Sequence, residues 1–518
     1  MVERKGPGWE RLWLAAASVA LCLIVFLVGS VAIIARHAGG DTVGSPLYAL
    51  LVATAVTVAL LEGARHGKGP LPLIAGRFPP QLDGALKRRP LVGALSFILT
   101  FVGLVQVARL SCFMADPALR WGSAYPPVEF GVSHMCISAY VHAGDLSSRN
   151  AANVYAEEYY PAFQGDDSTA GRQPPSPVKN LDAHLRDAFE YPPPFLLLPR
   201  AALALTNDFL DIRTAWFMLQ LPLFCALVLA LASFTGGSRG MVAGLLLPGL
   251  LASFPFMFNF QFGQFHLAAI MLASGGMLAF ARGWNRTGGV LLGAAIVTKV
   301  FPGLLLVYLA LQGRFRPIFW TIVFAGVYLL AGLVVLGPEP YNAFIHYQVP
   351  RLLSGEAFSF NLANDLTLAT NASIWSIPFK LDRLGIPGMS AQLAVGLTWI
   401  YTAVLLGATC IAARRDHPSE LQPLIWMGLL TLASLRSPDA PNVYIGTAAL
   451  WALTFLAIET RGRARSVFLF VVVWIFVNVV PPPPDPQATI VLWMVVQFVI
   501  LATGFYVALR RNSLIPVL

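Results

Sequence analysis

Three charged side chains in this sequence sit where chemistry is expected. Glu129 and Asp145 lie in a long polar stretch between apolar runs, while Lys299 lies inside the apolar run Thr287 to Gln312. A carboxylate placed just beyond an apolar segment can take a proton from a hydroxyl. An ammonium in an apolar stretch costs about 2.5–3.5 kcal/mol to insert, so Lys299 calls for an anionic partner. A phosphate or pyrophosphate headgroup would serve, reinforced if the half-helix beginning at Pro302 points its N-terminus there; snorkelling or pairing with a carboxylate is the structural alternative. His266, His346, Arg351 and Arg436 fall at expected outer helix ends, where each could meet phosphate, although each taken singly is more simply structural. Ordinary loop acids outnumber functional ones, and that reading stands beside the catalytic one for Glu129 and still more for Asp145. The sequence holds no zinc, calcium or Walker-type pattern, so neither a metal nor a cofactor is expected.

The elements that must position these groups are membrane helices. The chain has 518 residues, 57% hydrophobic and only 12% charged, and its mean hydropathy is +0.67. So few charges cannot clothe a soluble domain, which excludes a soluble enzyme, a secreted disulfide scaffold and a nucleic-acid binder. A span needs roughly 20 apolar residues, and about a dozen such runs are present. They fall near 12–36, 45–63, 91–110, 213–234, 240–258, 265–281, 317–336, 389–412, 420–436, 442–459, 466–480 and 488–509. The expected fold is therefore an all-α polytopic membrane protein of about 12 transmembrane helices.

The net charge of +9 is topological information. Basic clusters at Arg4, Lys5 and Arg11, at Lys87 to Arg89, at Arg414 and Arg415, and at Arg461 to Arg465 fall on alternate connections, placing both termini in the cytoplasm. The outer face then receives residues 111–190, 259–264, 337–388, Ser437 to Pro441 and Pro481 to Pro486. Two runs resist simple spanning. Thr287 to Gln312 has basic residues on both flanks, with Lys299 and Pro302 where a hairpin would turn; Tyr191 to Leu205 is short, proline-broken and better suited to an interface. Irregular backbone at membrane depth is tolerated only where protein or a water-filled cavity covers it. Cys112 and Cys136 share the long polar stretch, and a disulfide between them is the less favoured of two readings, because the count of five cysteines is odd.

Several motifs occur in a recognisable order. Tyr125-Pro126-Pro127-Val128-Glu129-Phe130 is followed by Ser133, His134, Tyr140, Gly144 and Asn153-Val154-Tyr155. Then come Tyr191-Pro192-Pro193-Pro194-Phe195, Trp216, Gly263-Gln264-Phe265-His266, Gly293 through Lys299 and Pro302, Asn371-Ala372-Ser373, and Ser437-Pro438. This series resembles the polyprenyl-phosphate-sugar-dependent glycosyltransferases of the GT-C type, especially family 87. It departs from them in having Glu where Asp is commoner, His in the last place of Gly-Gln-x-Asn, and no aromatic and His after Ser437-Pro438. The resemblance covers about residues 91–445, leaving the first two helices as an added hairpin.

The resemblance implies a membrane glycosyltransferase that moves a sugar, mannose or arabinose among relatives, from a polyprenyl-phosphate donor to an extracytoplasmic glycolipid or glycan hydroxyl. Such transfer needs one carboxylate base, while the leaving phosphate needs cations and hydrogen-bond donors. It assigns the base to Glu129, with Asp145 as second choice, and the phosphate to Lys299. Gln264, His266, His346, Arg351, Arg436, Asn371, Ser373 and Tyr191 are expected around donor phosphate and sugar. Tyr125, Tyr155, Tyr159 and Tyr160 could line the sugar site or belong to the aromatic belt of the spans. Asn371-Ala372-Ser373 also reads as a glycosylation sequon. The expected division is 1–90 for the N-terminus and extra hairpin, 91–388 for a conserved core with an outer loop at 111–190, and 389–518 for C-terminal spans. The expected setting is the cell membrane, with the site on its outer face, lipids as surroundings and no nucleic-acid partner. A transporter or lipid flippase is the competing class, but it should show repeats and paired ionisable groups at midplane, and here the acids gather at one face.

Overall fold

The structure is a computed structural model and describes residues 8–40, 43–66, 68–76, 78, 83, 90–124, 132–160, 174–362, 365–415, 417–440, 454, 461, 463–479, 483 and 485–509. Among these there is no strand, only isolated bridges pairing His134 with Leu185 and Lys179 with Asp208. Helices dominate because hydrocarbon offers no partner to a backbone N–H or C=O, and only a helix satisfies both within its own segment. Among the described residues, seven helices are long and apolar enough to cross a membrane, or eight if the bent pair Gly237–Leu251 and Phe254–Phe262 forms one span. The chain is thus an all-α polytopic membrane protein. The run expected as a span near 240–258 is broken at Ala252 and Ser253 and bent by 67°. Phe254-Pro255 begins the second piece, where proline fits the first turn because its missing N–H would be unpaired there anyway.

The chain packs into two units. The first comprises residues 1–133, 210–263 and 457–478. Helices Trp9–Ala38, Gly44–Arg65 and Pro90–Ala115 form its frame, with most of Phe209–Thr235. One end is tied by charge. Arg36 donates to Asp211 at 2.8 Å and to the carbonyl of Ala115 at 2.5 Å, while the wholly buried Arg213 lies over the Phe113 ring and donates to its carbonyl. Trp474 and Asn478 reach Gly249 and Phe254, satisfying backbone groups near the bend.

The second unit comprises 134–209, 264–456 and 479–518. Here helices Phe265–Ala281, Asn285–Thr298 and Phe315–Leu336 pack side by side through small residues. A Cβ on Gly289 would meet the Trp320 backbone at 2.7 Å, and one on Gly293 would meet the Ala325 nitrogen at 3.1 Å. Glycine lets the backbones approach, as at many membrane helix interfaces. The Thr287 to Gln312 run is interrupted as expected: helix Asn285–Thr298 stops at Lys299, whose backbone is extended, and Leu304–Leu311 resumes after a short 3-10 turn. The Tyr191 to Leu205 run is likewise short, a 3-10 turn at Pro193–Leu196 passing into Leu197–Leu205. Helix Cys136–Ser148 leans on it, with Gly144 against Pro199. The expected span near 442–459 falls almost wholly outside the described residues, as do Tyr125 and Glu129. All five cysteines are free, so Cys112 and Cys136 form no disulfide.

Candidate active site

The second unit gathers a polar cluster around Lys299. Helix Cys136–Ser148 presents Cys136 and, one turn later, Tyr140. Gln264 stands at the N-cap of Phe265–Ala281, where its side-chain oxygen accepts from the His266 N–H at 3.3 Å. The same oxygen accepts from the hydroxyls of Tyr140 at 2.9 Å and Tyr191 at 2.6 Å. Each phenol has one proton. With both given to Gln264, the Tyr140 oxygen takes the Phe265 N–H at 3.3 Å, and the Tyr191 oxygen takes a Lys299 proton at 3.2 Å. The ammonium also lies 4.8 Å from the Tyr191 ring centre, a cation–π contact. The Gln264 amide nitrogen is turned to the Cys136 sulfur at 3.3 Å.

Aromatic rings hold this chain of hydroxyls in place. Tyr191 stacks on Phe195 with centres 4.5 Å apart, Tyr140 meets Tyr191 edge-on at 5.0 Å, and Phe195 meets Phe265 edge-on at 4.8 Å. His266 is buried and stacks on Phe301, 4.7 Å between centres. The proline run fixes Tyr191 just ahead of its short helix, and Tyr155 donates to the Tyr191 carbonyl at 3.0 Å.

Acids complete the cluster. Glu190 is half-buried, and the scarcity of water pushes its carboxyl well above the ordinary range; the Asp439 and Asp187 charges push the same way, while Lys299 opposes them. Asp187 is bound by the buried His134. The Asp439 and Glu190 charges both favour the charged form of Lys299. The arrangement offers one cation, oriented phenols and an amide to an anionic headgroup, and carboxylates to hydroxyls.

The structure distributes the other expected site residues differently. Asp145 is buried and bound by Arg149 one turn along its own helix. Arg351 is committed to Glu157 and, at 3.0 Å, to Glu356, and lies over Tyr347. His346 is exposed on the neighbouring turn. Arg436 donates to Thr402 at 3.0 Å and covers Trp399. Asn371 and Ser373 are fully buried, and Asn371 grips the segment that carries Asp439. Tyr155 and Tyr160 are buried with their hydroxyls bonded to backbone carbonyls. Asp439, Asp187 and Cys136 were passed over by the motif reading. The available signal was position: Asp439 directly follows Ser437-Pro438, and Asp187 stands three residues before Glu190 and four before Tyr191.

No curated protein and no solved structure matches this chain. The model of glycosyltransferase family 87 matches residues 189–438, a stretch that opens just before Glu190 and Tyr191, holds Gln264, His266, Lys299 and Asn371, and ends at Pro438. Over that stretch, just under half of the chain, the sequence is similar to glycosyltransferase family 87.

Proposed function

We propose that the protein transfers a sugar from a polyprenyl-phosphate donor to a hydroxyl of an extracytoplasmic glycolipid or glycan, in a GT-C type fold. The observation that carries this reading is Lys299, held by the Tyr191 hydroxyl and ring at a break in an apolar segment and backed by Gln264. A lipid phosphate approaching from the membrane would find its counter-charge there. In the transfer, the acceptor oxygen bonds to the anomeric carbon as the bond from that carbon to the phosphate oxygen breaks. The electron pair leaves with the phosphate, and the acceptor proton goes to a carboxylate. Lys299 supports the departing charge, and phenol hydroxyls can lend hydrogen bonds to it.

Glu129 is the proposed base. Asp145 is the weaker choice because Arg149 already occupies its carboxylate. Neutralising Glu129 as Glu129→Gln preserves size and hydrogen bonding but removes the basic oxygen. Transfer should fall about 10²- to 10⁴-fold with donor binding retained. Full activity in Glu129→Gln with loss in Asp145→Asn would move the base to Asp145. Mannose and arabinose are the proposed sugars, and the cell membrane with an outward-facing site is the proposed setting. Reconstitution with a panel of radiolabelled polyprenyl-phosphate sugars, followed by chromatographic separation of products, identifies the donor. The transporter or flippase alternative draws no support from the family match.

A further inference from the structure

No acidic residue occurs between Asp211 and Glu339, and four arginines of that stretch fall in two short turns of the second unit. The first turn reads Arg282-Gly283-Trp284-Asn285-Arg286, the second Gly313-Arg314-Phe315-Arg316. Both stop a helix in the same way. Gly283 and Gly313 have φ of 80° and 69°, a region that glycine enters without steric cost. In the first turn the Gly283 N–H donates to the Phe280 carbonyl at 3.1 Å and the Trp284 N–H to that of Ala279 at 2.9 Å. In the second, Gly313 reaches Ala310 at 2.9 Å and Arg314 reaches Leu309 at 3.0 Å. This nested pair of bonds satisfies the last carbonyls of each helix and turns the chain sharply back.

The two turns lie side by side. Arg314 donates to the Phe280 carbonyl at 3.1 Å, and Arg286 lies over the Trp320 ring, 5.1 Å from its centre. Arg282 lies over Trp284 at 5.7 Å. Arg282, Arg286 and Arg316 are exposed and Arg314 is half-buried, and among the described residues none of the four forms an ion pair. Beside them Trp284 is 58% exposed and Phe315 70%. Four guanidiniums without a carboxylate call for an external anion, and their planar forks match the oxygens of a phosphate. The two exposed rings require more than a free anion. Aromatic side chains at the end of apolar helices belong at headgroup level, where one side is apolar and the other wet.

We infer that the paired turns form a seat for the headgroup phosphate of an anionic phospholipid, with Trp284 and Phe315 packed along its glycerol and upper acyl chain. This seat is separate from the proposed donor site and does not rest on it. Helix Asn285–Thr298 begins at the seat and stops at Lys299, so the two lie at opposite ends of one helix, about 20 Å apart at 1.5 Å per residue. A phosphate held by arginines of both turns would tie together the starts of Asn285–Thr298 and Phe315–Leu336. The lipid thereby steadies the helix that ends in Lys299.

The test titrates the full-length protein in detergent with dioleoyl phosphatidylglycerol or with zwitterionic dioleoyl phosphatidylcholine and reads bound lipid by native mass spectrometry. The first phosphatidylglycerol should bind at least about fivefold more tightly than phosphatidylcholine. Each arginine near an anionic surface contributes roughly a fivefold factor, so Arg282→Gln with Arg286→Gln should weaken its binding about ten- to thirtyfold. Arg314→Gln with Arg316→Gln should do the same. The first pair is exposed, so its variant should fold, which an unchanged unfolding temperature without added lipid would show. Arg461→Gln with Arg463→Gln removes the same charge from another exposed turn and should leave the first site within about twofold of wild type. Equal affinity for the two lipids, or an equal loss in the Arg461 and Arg463 variant, would reduce the effect to bulk charge and overturn the seat. Displacement of the lipid by millimolar inorganic phosphate would overturn the lipid as its occupant.

Discussion

Glu190 is the residue whose environment most directly dictates a measurable behaviour. Half-buried and acted on by the Asp439 and Asp187 charges, its carboxyl is pushed well above its ordinary value of 4.5. A raised folded-state value means that the unfolded chain ionises first. The native state therefore loses stability as pH rises from 4.5 towards the folded value, and is not penalised below 4.5. Glu190→Gln removes that penalty. Thermal unfolding in detergent should show the variant more stable than wild type at neutral pH, with the difference vanishing near pH 4; a pH-independent difference would contradict the upward shift at Glu190. Since Gln mimics a neutral acid, the variant should also retain transfer within several-fold, and a collapse of activity would make Glu190 the base. Tyr191→Phe tests the other half of the cluster. It keeps the ring beneath Lys299 but deletes the hydroxyl that bridges Lys299 and Gln264, so donor KM should rise by about tenfold or more, the worth of roughly one charge-assisted hydrogen bond.

At the scale of elements, the site depends on where helices stop. Asn285–Thr298 ends at Lys299 and is pressed against Phe315–Leu336 through Gly289. A side chain there would strike the Trp320 backbone, which cannot swing aside as a side-chain tip could. Gly289→Leu should cost about 1–3 kcal/mol or more by overpacking and lower the unfolding temperature of the purified protein; an unchanged unfolding temperature would show that this contact is not tight. The two irregular segments were legible in the sequence, because prolines at 192–194 and 302 and the charge of Lys299 leave few ways to build a continuous helix. The bend at Ala252 and Ser253 was not, since Pro255 falls inside an apolar run and first-turn proline is compatible with either outcome. Motif order located Tyr191, Gln264, His266 and Lys299 as neighbours. It assigned Asn371 to the site lining, whereas the carboxamide is spent on backbone at Pro438 and Ala440. A motif records that a residue matters but not whether its polar atoms face substrate or chain, and Arg351 and Arg436 met the same fate through Glu157 and Thr402.

At the scale of the whole molecule, composition alone forces a membrane protein, and the alternation of basic clusters predicts an orientation that a reporter can test. A reporter fused after Thr169 should read as extracytoplasmic and one after Arg463 as cytoplasmic; the reverse result would put the expected outer loop, with Glu129, on the side away from the acceptor. The central claim concerns Lys299, the cation to which every other part of the site is referred. Its most direct test is transfer by the reconstituted protein, comparing wild type with Lys299→Ala while polyprenyl-phosphate sugar and acceptor are varied separately. The ammonium is assigned to the donor phosphate, so donor KM should rise by at least tenfold, and acceptor KM should stay within about twofold, since a charge-assisted contact is worth roughly 1.5–3 kcal/mol. An unchanged donor dependence, or a loss confined to the acceptor, would contradict the account.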